Sequence, residues 1–294
     1  MKSLNLLLVV CACMAAQFIS AKATTEKKLR MNVATFNIRL QTSGDSADRA
    51  WDNRKTHVAK LINDYNFDIF GVQEIGSSQQ KADLGELIPG YTYFGRGRDD
   101  QKGTEGEQLG IFYKTDRFTI RDYGFFFLSE TPDMMSRGWD AALRRVCVWT
   151  KLIDKQTYKP FYVFCTHFDH VGVKAREESA RLLVEKVKEI AEDAPVLCVG
   201  DLNTSPESSG MYKTITGYLD DSHEVPGARV KGSVGTFNGY DVSRSTFPSS
   251  VRIDYILSRK VKVFNYAVLN DRYSSKTYPS DHFPVMIKCQ LISD

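Results

Sequence analysis

Carboxylates, amides and imidazoles recur beside short apolar runs along this chain. They are Asn37 in VATFNIR, Glu74 in FDIFGVQE, His167 in FYVFCTH, Asp201 and Asn203 in PVLCVGDLN, Asp254 in VRIDYIL, and Asp281 with His282 in YPSDHFP. Runs such as VLCVG, rich in β-branched and apolar residues, read as buried strands. A polar side chain at the end of such a run lies at the rim of a core. Its repetition from one end of the chain to the other predicts one polar cluster on a rigid scaffold.

Each piece suggests its own chemistry. In GDLN, Asp201 and Asn203 stand two apart at a strand end, where both can face one way and hold a water and a substrate oxygen; an Asx turn after a strand explains them equally well. In SDHFP, Asp281 and His282 are adjacent, so on extended backbone one can reach a metal while the other reaches a phosphate. Glu74 closes an otherwise apolar strand, and a carboxylate there suits a hard cation such as Mg²⁺. His167 is followed by Asp169 and His170, which makes that strand exit more polar than an exit requires.

Strand and helix signals alternate along the chain that must carry these residues. Asp52–Asn63 and Gln79–Leu87 read as helices, the latter stopped by Pro89 and Gly90. Lys174–Glu192 is the clearest helix, with Ala180, Leu183, Val184, Val187 and Ile190 on helical spacing. Strands are expected at YTYFGRGR, QLGIFYK, 120–127 and 142–153, and the chain closes on VRIDYILS, VKVFNYAVL and FPVMIKCQLI. Ser205–Ile215 suggests a short helix, and 220–248 reads as mostly irregular. The economical reading is one α/β domain over 30–294, with two sheets packed between helices.

The chain has 294 residues and a formal net charge of +3, too weak a basic excess to argue for nucleic acid by itself. Residues 1–21 read as a secretory signal peptide: Lys2, an apolar stretch from Leu4 to Ile19, then small residues with cleavage near 21–23. Residues 22–29 are a polar linker. Export to the periplasm or the medium follows, with no spanning helix once the leader is removed. Cys11 and Cys13 lie in the leader, but the residues before them make a poor lipobox. Cys147, Cys165, Cys198 and Cys289 each sit inside an apolar run and are expected as free buried thiols.

The order of the motifs resembles the endonuclease/exonuclease/phosphatase superfamily, which includes deoxyribonuclease I. An Asn, a Glu, Thr-His, Gly-Asp-x-Asn, Arg-x-Asp-Tyr and Ser-Asp-His-x-Pro follow one another over essentially all of 31–293. The resemblance implies a four-layer α/β/β/α sandwich with the active site at one end of the paired sheets. It also implies roles. Glu74 would be the main metal ligand, with Asn37 and Asp281 beside the metal. Asp201 would orient or deprotonate the attacking water, and Asn203 would bind a scissile phosphate oxygen. Asp254 would orient His282. His167 would donate to a phosphate oxygen or assist the leaving group, backed by Glu107 in GEQLGIFY, where the neighbouring Gln108 leaves the register open by one.

FFFLSETPD, GWDAALRR, THFDHVG and AREESARLLVEKVKEI look like an exported bacterial subgroup of that superfamily. In that subgroup Trp139, Asp140 and Arg145 are candidates for substrate contacts, as are Asp169 and His170. Arg39 resembles deoxyribonuclease I rather than the apurinic endonucleases, which carry Asp there. The resemblance implies a secreted Mg²⁺-dependent (or Mn²⁺-dependent) phosphodiesterase or nuclease. A phosphatase or phospholipase on sugar, inositol or lipid phosphoesters is the alternative, and a non-catalytic binding module a remote one. The expected partner is the phosphoester substrate, with no obligate protein partner. Substrate choice is expected from 41–51, 99–106, 129–138 and 220–248.

Overall fold

The computed structural model describes residues 30–208, 210–273 and 277–292. The leader expected at 1–21 and the linker at 22–29 lie outside the described residues. In chain order the main elements are β1 (Arg30–Asn37), α1 (Trp51–Asp64), β2 (Ile69–Ile75), α2 (Ser78–Leu87), β3 (Tyr91–Gly97), β4 (Gln108–Lys114), β5 (Phe118–Phe127), β6 (Val146–Asp154), β7 (Pro160–His167), α3 (Val173–Ala191), β8 (Val196–Asp201), α4 (Gly210–Thr216), β9 (Asp220–Asp221), β10 (Arg229–Lys231), β11 (Asp254–Arg259), β12 (Val261–Val268) and β13 (Val285–Leu291).

Among the described residues these strands make two sheets, ordered β10-β12-β13-β1-β2-β4-β3 and β5-β6-β7-β8-β11-β9. Their facing sides share one apolar core that includes Val33, Ile69, Ile111, Val163, Val199, Ile256 and Ile287. The outer face of the first sheet packs on α1 and α2 through residues such as Phe36, Phe70, Val58 and Leu84. The outer face of the second packs on α3 and α4 through Phe164, Cys198, Leu183 and Val187. This is the expected four-layer α/β/β/α sandwich. Each fully buried Leu, Val or Ile contributes roughly 1.5–3 kcal/mol, so the periodic apolar face of α3 is enough to hold it on the sheet. Cys147, Cys165, Cys198 and Cys289 are free and buried, as expected.

The sheets approach closely at Gly71 on β2. A Cβ there would stand 2.3 Å from a Val199 methyl of the opposite sheet and 3.0 Å from Cys165 Sγ. Gln73 Nε2 lies 3.4 Å from the same position, one residue before Glu74.

Two boundaries differ from the expectations in ways that matter for the site. The strand expected from 142 begins at Val146, because the N–H groups of Ala142 and Leu143 donate to the Asp169 carboxylate instead of to a neighbouring strand. Asp254 does not follow a strand but opens one: β11 runs antiparallel to β8, and Asp254 faces Asp201 in register. The irregular 220–248 segment contains the short strands β9 and β10. Among the described residues no helix is long and apolar enough to cross a membrane.

Candidate active site

Strand register brings the site together. β7 and β8 are parallel, with His167 opposite Asp201, and β11 places Asp254 on the other side of Asp201. One row across the second sheet therefore carries His167, Asp201 and Asp254. In the first sheet β1 and β2 are parallel and Asn37 pairs with Gln73, so Glu74 emerges one residue further on. A register shift between Val72 and Ile75, opposite Gly110 and Gln108, puts one extra residue into β2. Such a bulge re-aims a side chain. Glu74 takes φ 62° there, a left-handed conformation that costs a non-glycine residue about 1–2 kcal/mol.

Asp201 is the hub. Its Oδ1 accepts from the Asn203 N–H at 2.8 Å, and its Oδ2 accepts from Asn37 Nδ2 at 3.1 Å. His167 Nε2 lies 3.6 Å and His282 Nε2 3.8 Å from Oδ2. Asn37 Nδ2 also donates to Glu74 Oε1 at 2.8 Å, while the Arg39 N–H donates to Asn37 Oδ1 at 3.0 Å and so fixes the side-chain amide orientation. The Leu40 N–H donates to Glu74 Oε2 at 3.0 Å.

Both imidazoles are backed by carboxylates. His282 Nδ1 is 2.9 Å from Asp254 Oδ2, and His167 Nδ1 is 3.0 Å from Glu107 Oε1. Burial opposes the charged form of His282, but the charge and hydrogen bond of Asp254, with Asp201 and Asp281, outweigh it and hold its pKa well above the ordinary histidine value. Burial likewise opposes Glu107, but the hydrogen bond from His167 and the charges of Arg98 and Arg145 hold its carboxyl below the ordinary range. Asn203, at φ 51°, donates through Nδ2 to the Phe168 carbonyl at 3.0 Å and faces His167 Nε2 at 3.1 Å. The carbonyl fixes which end of the amide is the donor. His167 Nε2 is then the acceptor, and its proton sits on Nδ1 toward Glu107.

Residues 34–282 match the Endonuclease/Exonuclease/phosphatase family. The chain belongs to that family. A family member from Bacteroides thetaiotaomicron is 39% identical, with a TM-score of 0.84, covering 91% of this chain and 100% of that one. A mannosyl-6-phosphatase from the same organism is 40% identical, with a TM-score of 0.81, covering 88% and 99%. An uncharacterized protein of Acanthamoeba polyphaga mimivirus is 26% identical over 253 residues, 81% of this chain and 91% of that protein.

The endonuclease/exonuclease/phosphatase family consists of metal-dependent phosphoester hydrolases, and this chain is one. Glu74, Asp201 and His282 each offer a ligand atom, all within 4.8 Å of one another. Two carboxylates drawn together at one buried amide fit a hard divalent cation. Burial also raises the Asp281 carboxyl above the ordinary range; the Glu74 charge adds to this, while His282, Arg39 and Arg54 work against it. The Glu74 contribution is the part of this that a cation would relieve.

The residues expected to touch substrate divide by what holds them. Arg39 donates to Asp281 at 3.2 Å and to Asp45 at 2.8 Å, and so ties 39–45 to the SDHFP turn. Asp169 is buried and accepts from the N–H groups of Ala142, Leu143, Val171 and Gly172 at 2.8–3.1 Å. Its carboxylate is used up in joining two loops, which corrects the expectation of a substrate contact. Asp140 accepts from Lys174 and Ala175 N–H at 3.2 and 2.6 Å, capping α3 from outside the helix. Trp139 is half-buried, at φ 48°, with its N–H on the Glu130 carboxylate. Arg145 and His170 remain beside the site, 3.1 Å apart.

Several residues of the site gave no sequence signal strong enough to single them out. Phe237 packs edge-on against His282, with ring centroids 5.1 Å apart, and is 37% exposed. It sits in a stretch without periodicity. Thr236 accepts through its hydroxyl from the Asp254 N–H at 3.1 Å. Ser280 donates from its hydroxyl to the Asn37 carbonyl at 2.8 Å, locking the SDHFP turn to the end of β1. Arg98 lies 3.1 Å from Glu107, from the strand that reads YTYFGRGR.

Proposed function

We propose that this chain hydrolyses small phosphomonoesters, with a phosphorylated sugar as the substrate class, and that it uses Mg²⁺. The observation that carries the chemistry is Asp201 lying between two carboxylate-backed imidazoles, within reach of Asn37 and the Asn203 N–H. A phosphoester carries charge that repels an attacking oxygen, so hydrolysis needs cationic donors on the phosphoryl oxygens and an oriented water. His282, whose charged form Asp254 favours, supplies a donor to a non-bridging oxygen, which leaves the cation to the two carboxylates. Asp201 accepts the proton of a water as its oxygen attacks phosphorus in line and the bond to the leaving oxygen breaks. His167 and the Phe168 carbonyl fix the amide of Asn203 beside that water. Held by Glu74 and Asp201, with Asp281 behind, a divalent cation would neutralise charge developing on the phosphoryl group.

Two observations favour a small substrate over a nucleic-acid strand and reverse the order of the two readings made from sequence. Four arginines beside the site are matched by carboxylates, Arg39 by Asp45 and Asp281, Arg98 by Glu107, Arg144 by Asp99, and Arg145 by Asp169, whereas Arg49 and Arg137 on the flanking loops have no carboxylate partner among the described residues. A strand-binding groove needs uncompensated cations that track the backbone. The relative at 40% identity is a mannosyl-6-phosphatase. The test is phosphate release from hexose 6-phosphates and p-nitrophenyl phosphate against turnover of bis-p-nitrophenyl phosphate and plasmid DNA, with Mg²⁺ and with EDTA. Monoester turnover lost in EDTA is expected; turnover of diesters alone would restore the nuclease reading. Export through residues 1–21 is part of the proposal, and a secreted product beginning near residues 22–24 would support it.

A further inference from the structure

Arg145 is an unusual side chain for its place. It is buried and lies 3.7 Å from Glu107 Oε1 through NH1, 3.5 Å from Asp169 through Nε, and 3.1 Å from His170 Nδ1 through NH2. NH1 makes no hydrogen bond. Arg145 thus touches the carboxylate that backs His167 and, on its other side, the ring of His170. His170 is the outward member of this chain of contacts, with half of its side chain exposed.

A guanidinium only donates hydrogen bonds. Nδ1 of His170 therefore accepts from Arg145, and its proton is left on Nε2, which points away from the arginine. The surroundings are built by Asp169. Its carboxylate gathers the N–H groups of Leu143 and Val171, and so sets two exposed apolar side chains on the segments that flank His170. One fixed N–H donor, a single guanidinium away from the Glu107–His167 pair, suits a leaving group that offers hydroxyl oxygens.

We infer that His170 is a specificity-determining residue that binds a hydroxyl of the leaving group through Nε2–H, and that Arg145 is the positioning residue that sets its tautomer. The inference rests on the phosphomonoester reading above and deepens it: the leaving group is a polyhydroxylated ring, such as a sugar. Asp169 acts through Arg145 and the loop amides.

The experiment compares kcat/KM for mannose 6-phosphate with kcat/KM for p-nitrophenyl phosphate, whose leaving group has no further hydroxyl. In His170→Ala the ratio of the two falls about 3- to 10-fold, the range for loss of one neutral hydrogen bond, and the change lies in KM. His170→Gln, which keeps an acceptor for Arg145 and a donor near the position of Nε2, recovers part of it. Independently, ¹⁵N-histidine NMR of the folded protein shows His170 protonated on Nε2, and Arg145→Lys weakens that preference. An unchanged ratio in His170→Ala, or a proton on Nδ1 in the wild type, overturns the inference while leaving phosphomonoester hydrolysis intact. A wild type that turns over neither ester refutes the functional reading and overturns the leaving-group assignment with it.

Discussion

His167 and Asp201 are register partners on adjacent parallel strands, and their side chains meet with Nε2 and Oδ2 3.6 Å apart. Because the partnership is set by the sheet, no loop has to move to form it. The same row continues to Asp254, which orients His282 on the far side of Asp201. Sites built on strands in this way hold their geometry more tightly than sites carried by loops.

Glu74→Gln tests the cation. The bulge in β2 spends backbone strain to aim this carboxylate at Asn37 and Asp201. Replacing it by an amide removes one charged oxygen donor and leaves the shape. The Mg²⁺ concentration for half-maximal turnover is expected to rise at least about tenfold, in the range seen when metal-site residues are altered. A titration of initial rate against Mg²⁺ checks it.

Glu107→Gln tests the tautomer of His167. With an amide N–H facing Nδ1, the imidazole proton moves to Nε2 and confronts the Nδ2–H of Asn203. A charge-assisted hydrogen bond contributes about 1.5–3 kcal/mol, so kcat is expected to fall roughly 10- to 150-fold. Steady-state kinetics at saturating substrate gives the answer, and wild-type kcat would contradict the assigned pair.

The candidate site was legible in sequence where a polar residue ends a strand, as at Asn37, His167 and Asp201, since a short apolar run marks both the strand and its exit. It was less legible wherever position depends on direction or on distant partners. Asp254 reads locally like the others, yet it opens β11, because only pairing with β8 reveals the strand's direction. Asp169 and Asp140 look like site carboxylates, but backbone N–H groups from other segments consume them. Phe237 and Thr236 lie in irregular chain, where no periodicity exposes a contact made across the fold.

Asp169→Asn carries the pH prediction. Burial favours the neutral form of Asp169, but the N–H groups of Gly172, Ala142, Val171 and Leu143 outweigh it and hold its pKa well below the ordinary carboxylate range. A depressed folded-state pKa contributes stability that is complete above the unfolded value of about 4 and is lost as pH falls below it. The variant should lose on the order of 3 kcal/mol at neutral pH, as when one partner of a buried ion pair is removed. Its stability should also fall less steeply than that of wild type below pH 4. Urea unfolding at pH 7 and at intervals between pH 5 and pH 3 checks both parts.

Gly71→Ala probes the approach of the two sheets at β2. The added methyl meets Val199 at 2.3 Å, so one sheet must shift. Overpacking of this kind costs about 1–3 kcal/mol. A lowered urea midpoint is expected, together with reduced turnover as Glu74 moves relative to Asp201; unchanged stability would contradict the packing described.

The proposed function turns on Asp201 activating water for phosphomonoester hydrolysis. Its most direct test is the initial rate of phosphate release from mannose 6-phosphate in Mg²⁺, for wild type and for folded Asp201→Asn side by side. Wild-type release that EDTA abolishes is expected, with a loss of at least about 100-fold in the variant, the lower bound for removal of a general base. Comparable rates in the two proteins would contradict it.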